Sequence, residues 1–422
     1  MADFVPPLPS VSPSACAEAL PQHTVAVRRT CVEQIAALVL SSQEYTDTWA
    51  HFFHRPIPRA EDLSAERSEQ IWSEIRELAA KIRQALSSKK AARISDQKLE
   101  SQPELVLQML TRQNHRSLLQ IGYALGYNPS FPRDWPLERK CQSLLSLMVA
   151  SPRSLIRCVS PLSGILSFPR TILSPSLTQL VVIGQGIRVF PFLDLCTSLQ
   201  HLQVAYNELS CLPPGIQELR NLRTLDLSGN RLEEVSFQTG CSPALESLIL
   251  QGNRLLRFPD IVGCTALTKL DVSENAIHEI PEWIEYLQGL QEVQANRCGL
   301  EQLPKGMGLL SNLRIVGLAC NRLRSLPPRL HWPLVQTVDL SLNEFREVSA
   351  EVGQLPLLDR LDLSYNMHLL ELPPFFSRTL RTLVVDITQR ELLEEDLVAL
   401  TDAMASLTIE VFGVEESTKV SV

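Results

Sequence analysis

Four aspartates, Asp226, Asp271, Asp339 and Asp362, stand at the same place in a phrase that the chain repeats, and the phrase has Tyr206, Lys269, Glu292, Arg360 and Tyr365 close to that place. A row of carboxylates flanked by aromatic and charged side chains suits recognition: it draws basic groups of a partner, and Tyr is a common interface anchor. Asp339 and Asp362 fall in successive copies of the phrase. If those copies are neighbouring strands, the two acids stand roughly 5 Å apart. Like charges directly opposite are mildly destabilising, so structure alone does not favour them. The competing reading makes Leu-Asp-Leu-Ser a soluble filler of exposed strand positions.

Other chemistries find less support. His51 and His54 share a helix face in "HFFH" but lack a third ligand nearby, so no metal site is expected. Gly184 and Gly186 in "VVIGQGI" lack the helix-opening glycine of a dinucleotide loop. No P-loop, HExxH or GxSxG motif occurs. No catalytic residue, cofactor or metal is therefore expected, and the chain reads as a binding protein rather than an enzyme.

The repeated phrase must position the acids. Its copies start at Leu155, Leu177, Leu199, Leu222, Leu245, Leu267, Leu290, Leu313, Val335, Leu358 and Leu380, always 22 or 23 residues apart. In "LRTLDLSGNRLEEV" the apolar residues lie at offsets 0, 3, 5, 10 and 13, with Asn at offset 8. Leu225 and Leu227 alternate with outward residues, which predicts a short strand with one buried face. The Asn that follows (Asn207, Asn230, Asn253, Asn275, Asn321, Asn343, Asn366) carries an amide that can both donate to and accept from buried backbone. Leu-Pro or Ile-Pro steps at 212–213, 280–281, 303–304 and 326–327 fix φ and suit the first turn of a short helical return. One such unit cannot bury its leucines alone, so neighbours must stack. Ser163, Gln185 and Thr388 replace the Asn in the terminal copies, as the ends of an array allow.

The string LxxLxLxxNxLxxLPxxI resembles the leucine-rich repeat. The resemblance implies an α/β solenoid of about 10–11 repeats over 151–390, with a parallel sheet on its concave face. It also implies that this face binds a protein. The LPxxI form resembles that of intracellular scaffolds, which makes a small GTPase or a phosphatase a candidate partner. Offset 4 should face the concave side, and it holds Val181, Gln203, Asp226, Ile249, Asp271, Gln294, Gly317, Asp339, Asp362 and Val384.

Around the repeats, residues 1–21 read as a disordered Pro/Ser-rich terminus and 22–150 as an all-α domain that caps the solenoid. In 22–150, Ile71, Ile75, Leu78, Ile82 and Leu86 form a stripe at helical spacing. Ser101 and Glu104 suggest a capping box, and Asp134 an N-cap. Residues 391–422 read as a C-terminal cap and tail, with a helix in "ELLEEDLVALTDAM" and a closing strand in "LTIEVFG". Tyr45, Trp49, Phe52, Pro58, Glu61, Arg67 and Trp72 faintly resemble the translocation-linked segment of bacterial leucine-rich-repeat effectors with a ubiquitin-ligase domain. That resemblance implies an alternative, a protein delivered into host cells that binds a host protein, with ubiquitylation of that protein as a further possibility. The Cys-x-Asp motif of those ligases does not occur in the chain.

The net charge of -8 lies almost wholly in the repeats and tail, and no basic patch argues for nucleic acid. No apolar run reaches the roughly 20 residues of a membrane span, and the start lacks the pattern of a secretory signal. The ten cysteines form no CxxC pair, and Cys196, Cys241 and Cys264 fall just before repeat starts, as small buried fillers would. A reducing, cytoplasmic setting follows from that reading. The alternative is secretion into a host cell by a route without a signal peptide.

Overall fold

The computed structural model describes residues 29, 32–37, 39, 63–85, 102, 104–124, 131–132, 134–150, 155–158, 173–188, 190–191, 193–237, 243–386, 388–389, 393–404, 406–412 and 418–420. The chain divides into two compact units, Met1–Gln113 and Asn114–Val422. The expectations for Tyr45, Trp49, Phe52, His51, His54 and Ser101 lie outside the described residues.

In the first unit, helix α1 spans Ala65–Ala85. Ser64 opens it, its hydroxyl accepting from the Arg67 N–H at 3.2 Å. Ser68, Ile71, Trp72, Ile75 and Ala79 are buried, a stripe at helical spacing. Helix α2 spans Glu104–Ala124 and passes from the first unit into the second.

The second unit begins with the end of α2 and helix α3, Leu137–Ala150. Asp134 is not the cap of α3: the helix opens after Pro136, whose carbonyl accepts from Lys140 N. Proline's fixed φ suits a helix start, which leaves Asp134 a turn ahead of it. Leu118, Cys141 and Leu144 join the buried cluster that runs on through Ile156, Leu177 and Leu180 into the repeats.

Each repeat contributes one short strand to a single 13-stranded sheet whose spatial order follows the chain. The strands are β1 (Leu155–Cys158), β2 (Gln179–Val182), β3 (His201–Gln203), β4 (Thr224–Asp226), β5 (Ser247–Ile249), β6 (Lys269–Asp271) and β7 (Glu292–Gln294). They continue as β8 (Ile315–Gly317), β9 (Thr337–Asp339), β10 (Arg360–Asp362), β11 (Thr382–Asp386), β12 (Thr408–Phe412) and β13 (Thr418–Val420). Pairing is parallel from β1 to β12, and β13 returns antiparallel on β12. The central residue of each strand points inward, so Leu202, Leu225, Leu248, Leu270, Val293, Val316, Val338 and Leu361 form a buried row.

The Asn ladder ties each turn to its neighbour. Asn230 Nδ2 donates to the Val204 and Leu227 carbonyls at 2.7 and 2.9 Å, and its Oδ1 accepts from Leu209 N at 3.1 Å. Asn207, Asn253, Asn275, Asn321, Asn343 and Asn366 each donate to a carbonyl one repeat back. At the fraying ends longer amides substitute. Gln185 donates to the Cys158 and Ile183 carbonyls. At the other end the ladder residue is Gln389 rather than Thr388, which is exposed. Gln389 Nε2 donates to the Leu363 and Asn366 carbonyls at 2.9 and 3.1 Å. A hydroxyl is too short to serve both carbonyls, and a Gln one residue later reaches them.

Two of the proline steps lead into 3-10 helices, Glu282–Tyr286 after Pro281 and Lys305–Leu309 after Pro304. Elsewhere on that side lie a 3-10 turn at Ile216–Glu218 and a short helix α4, Ala350–Gly353. Helix α5, Glu394–Ala403, buries Leu397 and Leu400, and β12 follows it.

The cysteines differ from expectation at one point. Cys196 is a buried, free filler, whereas Cys264 is disulfide-bonded. That disulfide removes the cysteine usage as an argument for a reducing compartment.

Candidate protein-interaction surface

The parallel register fixes the lane that the aspartates occupy. Partners run Val181, Gln203, Asp226, Ile249, Asp271, Gln294, Gly317, Asp339, Asp362, Val384 and Glu410, one residue per strand. Asp339 and Asp362 are directly paired, and they are the one pair of neighbouring acids in this run. Asp226 and Asp271 are separated from each other by Ile249.

Each aspartate is also part of its own turn. Oδ1 of Asp226, Asp339 and Asp362 accepts both the N–H and the hydroxyl of the serine two residues on, Ser228, Ser341 and Ser364. Asp271 Oδ1 accepts from Ser273 N. The motif Asp-x-Ser thus closes the strand end, and the Ser two residues after each Asp is its visible signal. Beyond that turn the four differ. Asp226 is buried, its Oδ2 accepting from Gln203 Nε2 at 2.7 Å. Asp362 lies 3.9 Å from Arg360. For Asp339 the described residues offer no cation within salt-bridge distance.

Burial holds the Asp362 carboxyl above the usual carboxylate range, and the negative charge of Asp339 adds to the rise. The Ser364 hydrogen bonds and Arg360 pull the other way but do not win.

The flanking charges are largely spent on one another. Lys269 Nζ reaches Glu292 at 2.9 Å on the adjacent strand. Arg360 reaches across β11 to Glu410 at 3.0 Å. Glu410 lies beyond the repeated phrase, so phase alone did not reveal that pairing. Tyr206 and Tyr365 lie not on the strands but in the turns after them, at left-handed φ of 54° and 60°. Both are exposed.

Gly317 interrupts the lane. A Cβ there would collide with the Gln294 amide, which lies across it and accepts from Asn296 Nδ2 at 2.9 Å. Beside this gap Ile315 is an exposed apolar residue.

Three buried thiols offer no nucleophile. Burial pushes Cys158 and Cys298 up to about 11 and Cys196 to about 12, so all three stay protonated at neutral pH. Among the described residues no group of three His, Cys, Asp or Glu side chains is placed to hold a metal ion. No described helix is long and apolar enough to cross a membrane.

Residues 197–239 match the family model described as "Leucine Rich repeats (2 copies)". Among curated proteins, the chain is 28% identical over 231 residues to the mouse leucine-rich repeat serine/threonine-protein kinase 1, a match covering 46% of this chain and 11% of that protein. It is 32% identical over 181 residues to mouse podocan-like protein 1, covering 40% of this chain and 32% of the relative. With bovine osteomodulin the identity is 29% over 203 residues, or 46% of each. The chain thus spans less than half the length of these relatives. Among solved structures, YopM from Yersinia enterocolitica is similar at a TM-score of 0.47 and 19% identity, covering 64% of this chain and 60% of that one. A Leptospira interrogans LRR protein gives 0.44 and 22%, covering 58% and 75%. With the in-register strands, the Asn ladder and the matched repeats together, the chain carries a leucine-rich repeat solenoid.

Proposed function

We propose that the solenoid is a protein-interaction module whose concave sheet receives a basic segment of a partner protein between β9 and β10. The observation that carries this is the in-register pair Asp339 and Asp362. Two carboxylates on adjacent strands repel, and Arg360 and the serine hydrogen bonds offset that repulsion only in part. The nearer cation, Arg360, makes its short contact with Glu410 and stands farther from Asp362. A lysine or arginine from a partner relieves that repulsion and gains charge-assisted hydrogen bonds. Lys269 and Glu292 act in this reading as a mutual clasp that leaves Asp271 the single unpaired charge on β6 and β7 among the described residues. Asp226 serves its own turn more than a partner.

The Asp-x-Ser turns decide how the test is built. Asp→Lys at either position removes an acceptor that the backbone needs, whereas Asn keeps Oδ1 and loses the charge. A pull-down from lysate with wild-type and Asp339→Asn/Asp362→Asn baits is therefore the experiment. The expected result is loss of proteins held by wild type, with the melting temperature kept within a few degrees. An unchanged set of captured proteins places the contact elsewhere.

A further inference from the structure

We propose that the rim beside this acid pair, formed by Cys320, Leu342 and Tyr365, is a docking strip for a partner segment that sets a large apolar side chain next to a lysine or arginine. The proposal rests on the concave-lane reading above and extends it by a second, apolar contact.

The residue just before each ladder position from Gln185 to Asn366 is left-handed. The series is Gly184, Tyr206, Gly229, Gly252, Glu274, Arg297, Cys320, Leu342 and Tyr365, with φ between 54° and 67°. Glycine adopts that conformation without steric cost, and three of these repeats use it. A Leu or Tyr pays for the same φ with a crowded Cβ. Packing offsets that cost only in part, because Leu342 stays 47% and Tyr365 38% exposed. Apolar side chains kept at strained, exposed positions point to a use outside the fold.

They also lie side by side. Cys320 N donates to the Ser341 carbonyl at 2.9 Å, and Leu342 N to the Ser364 carbonyl at 2.8 Å. These bonds set the three residues on successive repeats, about 5 Å apart. Each of Leu342 and Tyr365 follows its lane aspartate by three residues, so apolar strip and carboxylate pair run parallel. Tyr206, in contrast, has glycine on either side in this series, and its ring rests on Gly229. Among the described residues, only the 320–365 stretch sets such side chains on successive repeats beside adjacent acids. The negative lane selects the charge of the occupant and the strip selects its apolar neighbour.

Glycine replacements give a clean test, since they relieve the φ that the present residues strain. An array of synthetic twelve-residue peptides carries Lys with Leu at spacings of one to four, Lys alone, Leu alone, or Glu with Leu. It is probed with the purified full chain, with Leu342→Gly/Tyr365→Gly and with Asp339→Asn/Asp362→Asn. The wild type is expected to bind one Lys-plus-Leu spacing at least tenfold above either single-feature peptide. The glycine variant should fall to the level of Lys alone, and the Asn variant to that of Leu alone. Lys-dependent binding that is lost in the Asn variant but unchanged by the glycine pair overturns the strip and leaves the concave lane standing. Binding indifferent to both variants, or no binding to any peptide, overturns both. Concentration-dependent dimerisation abolished by the glycine pair assigns the strip to a second copy of the chain and also overturns the proposal.

Discussion

A single amide repeated along the solenoid does most of the structural work at the scale of the residue. The ladder was readable because Asn recurs at fixed phase, and its bonds are those that the amide's two-sided chemistry predicts. Where the phase slips, reading fails: Gln389 takes the last rung one residue late, which phase alone does not reveal. Cys298 fills one rung with a thiol, donating to the Val272 carbonyl at 3.3 Å, and it offers no acceptor matching an Asn Oδ1. Cys298→Asn is expected to melt at or above wild type, because its Oδ1 can serve the Ile277 N–H. Asn321→Leu should cost about 1–3 kcal/mol by orphaning buried backbone groups, among them the N–H groups of Cys298 and Leu300. Urea melts of both variants check the pair of outcomes, and equal losses would contradict the ladder.

The acid pair yields a pH prediction at the same scale. The folded-state pKa of Asp362 is raised, so folding binds its proton more tightly than the unfolded chain does. The associated stability is present below the unfolded value and is lost as pH rises through the folded one. Asp362→Asn should therefore equal wild type in acid and exceed it at neutral pH. A series of melts from acid to neutral reads this directly, and a constant offset across the series would refute it.

For elements, the strands and their register were legible from the alternation of Leu225 and Leu227 and their equivalents, since period and pleat coincide. What escaped reading depends on contacts between distant segments. Strand β13 is three residues long and follows the last repeat, and Arg360 finds Glu410 fifty residues away. One glycine on the return side and one on the sheet offer a sharp comparison. A Cβ on Gly353 in α4 would collide with the backbone carbonyl of Phe375 in the next repeat, whereas one on Gly317 meets the movable side-chain amides of Gln294 and Asn296. Gly353→Ala is expected to cost about 1–3 kcal/mol, as overpacking does. Gly317→Ala should cost about 1 kcal/mol or less, mainly the Asn296–Gln294 hydrogen bond. Thermal denaturation of the two variants tests the order, and a larger loss at Gly317 would contradict the packing described.

Over the whole molecule, the apolar end of the array needs a cover, and Leu118, Cys141 and Leu144 lie in the same buried cluster as Ile156 and Leu180. A fragment comprising 114–422 should therefore be monomeric and melt cooperatively, while 151–422 should aggregate. Light scattering and calorimetry on the two fragments decide it, and a well-behaved 151–422 would show that the helices cap nothing.

The central claim is that a partner protein lies on the concave sheet between β9 and β10. The most direct measurement places a photo-crosslinking amino acid at Thr337, in β9 two residues before Asp339, and at Glu351, in α4 on the return side. Each is irradiated in the presence of lysate. The account predicts a discrete crosslinked protein from position 337, absent when Asp339 and Asp362 are both Asn, and none from position 351. Crosslinking of the same protein from 351 alone would contradict it.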